Sequence, residues 1–149
     1  MATYLSTELA GSANQTSVPV GYKPRATVYG ARLKRMRATF TYATQTTSDI
    51  LQFGNLPAGA TFAFGLITTS VSMGTATLAI GISGTTGKYK AAGSAITATD
   101  TPTLFGIATI AGAADPALTA EETLIGTIGT ASLPGSGTLV VDTFYSMPN

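Results

Sequence analysis

Three residue types that carry much of protein chemistry are missing from this 149-residue chain: it has no cysteine, no histidine and no tryptophan. Without cysteine there is neither a disulfide nor a thiolate metal site, so the fold rests on packing and hydrogen bonds alone. That composition is compatible with synthesis in a reducing (host) cytoplasm. Without histidine the commonest general base and metal ligand is gone, and the Ser-His-Asp and Cys-His triads are impossible. The lack of tryptophan removes the ring best suited to stacking on sugars.

Charge is also sparse. Charged residues make up 10% of the chain, against about 25% in an average soluble domain. Surface charge resists self-association, so a chain this poor in it suits a protein that covers much of its surface with other chains. No run of about 18 or more apolar residues occurs, so no membrane span is expected. Met1 to Ala13 has neither a basic start nor a continuous apolar stretch, and so does not read as a signal peptide.

The remaining candidates for chemistry fail one by one. Glu121 and Glu122 are adjacent, and neighbours on a strand point to opposite faces, which makes a poor glycosidase pair; they read as a solvated loop end. Gly84-Thr85-Thr86-Gly87-Lys88 is not a phosphate-binding loop: the motif needs glycine where Ile82 stands and Ser or Thr where Tyr89 stands. The segment reads instead as a hairpin or loop tip displaying Lys88, Tyr89 and Lys90. Asp49, Asp100, Asp115 and Asp142 are too dispersed for a calcium loop. No catalytic residue, metal ligand or cofactor site is expected.

What the chain does have is strand pattern. Hydrophobic residues reach 44%, enough for one domain with an ordinary core. Met36, Ala38, Phe40 and Tyr42 alternate with Arg35, Arg37, Thr39 and Thr41, the period of a half-buried strand. Leu51 and Phe53 repeat it within Ile50–Phe53. Further strands are expected at Phe62–Ser72, Thr75–Ser83 (Ala76, Leu78, Ile80 and Ile82 inward), Leu104–Ala111, Thr123–Gly129 and Leu139–Tyr145. Leu56-Pro57-Ala58-Gly59 and Leu133-Pro134-Gly135-Ser136-Gly137 read as one kind of corner used twice. Met73-Gly74 reads as a hairpin turn, and Ala117–Glu122 as a single helical turn. Gly81, Gly106 and Gly126 mark bulges, twists or close approach of sheets. Seven or eight short strands separated by turns predict an all-β, single-domain antiparallel β-sandwich or jelly roll, with a closed barrel as the alternative. The domain spans residues 32–149. Residues 1–31, rich in loop formers, read as an extended N-terminal arm with Tyr4, Leu5, Val18 and Val20 as anchors, or as a frayed terminus.

The eight basic residues and seven acids nearly cancel but are segregated. Lys23, Arg25, Arg32, Lys34, Arg35 and Arg37 lie in a stretch free of acids from Glu8 to Asp49, whereas Asp100, Asp115, Glu121, Glu122 and Asp142 fall in the last third. The basic segment suits an acidic protein surface, or an ordinary solvated edge whose charges discourage stray strand pairing. The near-neutral chain, with no aromatic stacking motif, speaks against nucleic acid.

Four stretches, Arg37-Ala38-Thr39-Phe40-Thr41-Tyr42, Leu56-Pro57-Ala58-Gly59-Ala60, Thr77 through Tyr89 and Leu133 through Val141, together resemble the small β-rich decoration (cement) proteins of tailed-bacteriophage heads. The resemblance implies a structural virion protein, a homo-oligomer of trimeric form, seated on the major capsid protein at the outer surface of the shell. It implies no enzyme activity, no nucleic-acid partner and no membrane. The residues expected to meet the capsid are Tyr4, Leu5, Val20, Tyr22, Lys23, Arg25, Arg32, Lys34, Arg35 and Arg37. A phage tail, fibre or surface module that recognises carbohydrate is the competing expectation, since jelly rolls often bind sugars.

Overall fold

Where apolar and polar side chains alternate, strands form. The computed structural model describes residues 32–106 and 117–147; the arm expected over 1–31, and the part of the expected strand Leu104–Ala111 from 107 onward, lie outside them. The described strands are β1 (Arg32–Thr41), β2 (Ile50–Leu56), β3 (Thr61–Thr69), β4 (Thr77–Ile82), β5 (Thr85–Lys90), β6 (Thr103–Phe105), β7 (Glu122–Gly129) and β8 (Thr138–Met147). They make two four-stranded antiparallel sheets, ordered β1-β8-β3-β6 (sheet A) and β2-β7-β4-β5 (sheet B).

That order is the jelly roll. The pairs β1–β8, β2–β7, β3–β6 and β4–β5 are the rungs of one long folded hairpin whose turn lies between β4 and β5. The pairs β3–β8 and β4–β7 roll it into two layers. The choice between sandwich and closed barrel is thereby decided for the sandwich.

Alternation places the core as expected. Leu51, Phe53, Leu78, Ile80, Leu124, Ile128, Leu139 and Val141 pack between the sheets with Tyr42 and Met73. Each such buried side chain contributes roughly 1.5–3 kcal/mol relative to exposure. Phe40 of sheet A meets Phe53 of sheet B edge to face, with centroids 5.5 Å apart. The Tyr42 hydroxyl shares a 2.7 Å hydrogen bond with Thr69 Oγ1, and Thr69 donates onward to the Val71 carbonyl at 2.5 Å. β4 goes beyond simple alternation: Thr77 through Ile80 are all buried, so its outer face is covered too.

The two Leu-Pro segments are corners of the same kind. Each carries the chain from sheet B to sheet A, from β2 to β3 and from β7 to β8, at opposite ends of the sandwich because β2 and β7 run antiparallel. In both the leucine is the anchor, Leu56 at 0% and Leu133 at 2% exposure, while the proline turns the chain.

Three local expectations change. Met73-Gly74 is not a hairpin turn, because β3 and β4 belong to different sheets; the connection passes from one sheet to the other, exposed at Ser72, Gly74 and Thr75 and anchored inward by buried Met73 and Ala76. The hairpin lies instead at Ser83-Gly84, between β4 and β5. Residues 117–121 form no helical turn: Leu118 exchanges backbone hydrogen bonds with Gly59 and Ala60, which holds the segment extended beside the first corner. Gly106 ends β6 rather than lying inside it, with φ of 71°, whereas Gly81 sits at an irregularity of the β4–β5 pairing as expected.

Gly126 does mark a close approach. A Cβ there would lie 2.5 Å from Phe53 Cζ and 3.1 Å from Leu78 Cδ1, so Gly126→Ala should lower stability by about 1–3 kcal/mol in urea unfolding. Thr143, on the core side of β8, is 1% exposed with a hydroxyl that finds no partner among the described residues. Thr143→Val keeps its shape and removes that polar group, and should raise the unfolding free energy by about 1 kcal/mol in the same assay.

Candidate functional site

The basic segment becomes an edge strand. β1 pairs with β8 along one side over its ten residues, and alternation divides its cations between two faces. Leu33, Arg35, Arg37, Thr39 and Thr41 lie on the outer face of sheet A. Arg32 and Lys34 lie on the side of Met36, Ala38 and Phe40, yet are exposed. Of the residues expected to bind a partner, these four cations are gathered on one strand; Tyr4, Leu5, Val20, Tyr22, Lys23 and Arg25 lie outside the described residues.

Arg37 already has a partner. Its Nε and Nη2 donate to Asp142 Oδ1 and Oδ2 at 2.8 and 2.6 Å, a two-pronged geometry that fixes both planes. The residues are directly opposed on β1 and β8. The Arg35 Nε lies 3.8 Å from the same carboxylate, too far for a hydrogen bond. Arg37 hydrogen bonding holds the Asp142 carboxyl below its ordinary range; burial pushes the other way, and the charges of Arg37 and Arg35 add to the lowering. Both arginine side chains stay about half exposed, at 54% for Arg35 and 51% for Arg37.

Around this pair sheet A presents an apolar outer face that the sequence reading passed over. The register sets Arg35, Phe144 and Phe64 in one row and Arg37, Asp142, Leu66 and Leu104 in the next. Phe64 and Phe144 stack with centroids 4.7 Å apart. Leu33 and Leu104 are among the most exposed large apolar side chains, at 54% and 47%. The signal was present in Leu139-Val140-Val141-Asp142-Thr143-Phe144-Tyr145, whose apolar residues fall on both alternating sets and so cannot all face one core.

The segment from Gly84 is a hairpin, as one of its two readings had it, but Lys88, Tyr89 and Lys90 are not at its tip. They lie on β5 at one end of the sandwich, where Lys88 and Tyr89 both donate to Glu122 and the Tyr89 ring packs 4.3 Å from that of Phe62. Burial alone would raise the Glu122 carboxyl, but the hydrogen bonds from Lys88 and Tyr89 and the charge of Lys88 outweigh it and lower it. Glu122 is thus a strand residue in a network rather than a solvated loop end. Glu121 takes a separate 2.8 Å hydrogen bond from the Asn55 amide, so the two acids point apart. The Lys90 ammonium reaches the Leu78, Ala91 and Ala92 carbonyls, and burial lowers its pKa. These contacts fasten β5, one of the two edges of sheet B. Among the described residues no three acids gather in a way that could hold a metal ion.

Among solved structures, this fold is similar to chains from three phage capsids. One is in the capsid asymmetric unit of cyanophage Pam1, with a TM-score of 0.61 and 21% identity over 80% of this chain and 88% of that one. A second is in the acidic stable capsid of Helicobacter pylori bacteriophage KHP30, with a TM-score of 0.56 and 15% identity over 78% and 89%. The third is in the capsid of Ralstonia phage GP4, with a TM-score of 0.55 and 18% identity over 80% and 85%. The likeness is one of fold. No family model and no curated protein matches the sequence.

The Arg37–Asp142 pair sets a pH response. A carboxyl lowered by folding stabilises the protein above its ordinary pKa, and that contribution is lost as pH falls through the folded-state value. Arg37→Ala leaves burial as the main influence on Asp142. Its carboxyl, followed by NMR, should then titrate higher than in the parent protein, and the pH-dependent gain in stability above about pH 4 should shrink.

Proposed function

We propose that this chain is a structural virion protein that binds the outer surface of a phage capsid as a homo-oligomer, a trimer, and stabilises the shell without catalysing a reaction. The observation that carries the reading is the match in fold, over 78–80% of this chain, to chains found in three phage capsid structures. The charge-poor composition and the exposed apolar and basic face of sheet A support it, since both suit a protein whose work is contact.

In this reading residues 1–31 form an extended arm and 32–149 the sandwich. The arm orders against the major capsid protein, burying Tyr4, Leu5, Val20 and Tyr22, while Lys23 and Arg25 pair with capsid carboxylates. Arg32, Lys34 and Arg35 continue the basic surface onto β1. Arg37 neutralises Asp142 with two of its five N–H donors and turns the rest of its half-exposed guanidinium to the capsid. Each copy adds a small stabilisation, and many copies on a symmetric shell add up to a large one. Ordering the arm subtracts from each contribution.

Co-sedimentation with phage heads stripped of the protein tests this. The full chain should pellet with the heads and raise the temperature at which they open. A chain lacking residues 1–30 should stay folded by circular dichroism yet remain in the supernatant. Attachment undiminished by the deletion would overturn the arm; absence of attachment by the full chain would overturn the virion role.

A further inference from the structure

Four strands form the flanks of the sandwich, and three are poor templates for a further strand. β2 is interrupted by a bulge at Gly54, β5 pairs irregularly with β4, and β6 has three residues. β1 runs for ten residues in unbroken register with β8.

The direction of its free backbone groups follows from three contacts. Tyr42 N–H donates to the Gly137 carbonyl at 2.8 Å, so the even-numbered residues of β1 turn toward β8. Thr138, opposite Thr41, instead exchanges hydrogen bonds with Ser70 on the β3 side. The Gln45 amide reaches the Thr41 carbonyl from outside the sheet, at 3.0 Å. Alternation therefore leaves Leu33, Arg35, Arg37 and Thr39 with N–H and C=O pointing away from the sheet. Among the described residues none of these groups has a backbone partner.

The flanking charge selects what can pair there. Arg32, Lys34, Arg35 and Arg37 put cations on both faces of the edge, and the acid paired with this strand among the described residues, Asp142, is taken by Arg37. A second copy of β1 is disfavoured, because in the centred antiparallel registers Arg35 or Arg37 would face an arginine, and like charges directly opposite destabilise a pair. Basic residues on an edge repel stray strands in general, but a strand bearing carboxylates is attracted by the same charges.

We infer that the free edge of β1 takes up an extended acidic strand of another protein, which pairs with the backbone of Leu33 to Thr39 and places a carboxylate against Arg35. This deepens the capsid-binding reading and rests on it only for the partner's identity.

The test uses the full chain and two synthetic heptapeptides, one alternating glutamate with valine and one alternating lysine with valine, each carrying a fluorophore. The acidic peptide should bind saturably and the basic one should not. On saturation, amide exchange at Arg35, Arg37 and Thr39 should slow at least ~10-fold, as strand pairing requires and loose charge attraction does not. Thr39→Pro removes an outward N–H without touching the β8 ladder, a place where an edge strand tolerates proline. It should leave the melting temperature close to the parent's and weaken peptide binding at least ~10-fold, as should Arg35→Glu. Equal binding of both peptides, unchanged amide exchange, or full binding by folded Thr39→Pro would each overturn the inference. Heads that bind the full chain while the acidic peptide does not would sink strand addition and leave the virion role standing. Peptide capture without head attachment would do the reverse.

Discussion

The structure depends on phenylalanine rings that occupy the space of missing side chains on neighbouring strands. A Cβ on Gly65 would sit 2.1 Å from the Phe105 ring, and one on Gly126 would sit 2.5 Å from the Phe53 ring. Phe53 and Phe105 belong to β2 and β6, each one of the two outermost strands of its sheet. An outermost strand has a neighbour on one side only and buries little. A ring folded over a glycine on the next strand compensates, because it contributes apolar area to the core and ties the flank down. β6 has three residues, and this contact is a large part of what holds it in place.

With the interior closed in this way, the surfaces divide the remaining work. On sheet B the outer face is covered at its centre, with Ala79 and Ile125 buried, and open on β2, where Ile50 is 61% exposed; its β5 edge is held by Glu122 with Lys88 and Tyr89. On sheet A the outer face is open and mixed, with stacked rings and leucines beside two arginines and one deeply placed carboxylate. The Arg37–Asp142 pair lets the apolar face carry an acid on its central strand without leaving that charge unbalanced, since an isolated buried carboxylate is costly. Arg35, whose guanidinium makes no hydrogen bond to this carboxylate, is left as the cation able to answer an incoming group.

How much of this was legible depends on the distance over which each feature is decided. Alternation is local, so the strand nature of Met36–Tyr42 and of Leu51–Phe53, and their inward residues, could be read directly. The two Leu-Pro corners were legible for the same reason. Met73-Gly74 was misread because a turn signal says that the chain bends but not whether the next strand stays in the same layer; burial of Met73 decided that. The basic run looked like one unit because it is continuous in sequence, and the pleat then split Arg35 and Arg37 from Arg32 and Lys34. Asp142 looked like one more dispersed acid, since nothing near it in the chain shows that β1 will lie alongside. The exposed apolar face was missed because the strand expected over Leu139–Tyr145 was not divided between its two faces.

The placement of β8 between β1 and β3 also governs when the molecule can acquire its shape. Arg37 and Asp142 are 105 residues apart, and sheet A has no middle until its last strand has left the ribosome. Sheet B, built from strands made earlier, still has no second layer to pack against. Such distant pairings form slowly. In the interval Phe64, Leu66 and the β1 edge are open to other nascent copies, which makes dilution or a chaperone during synthesis more valuable to this chain than extra stability once it has folded.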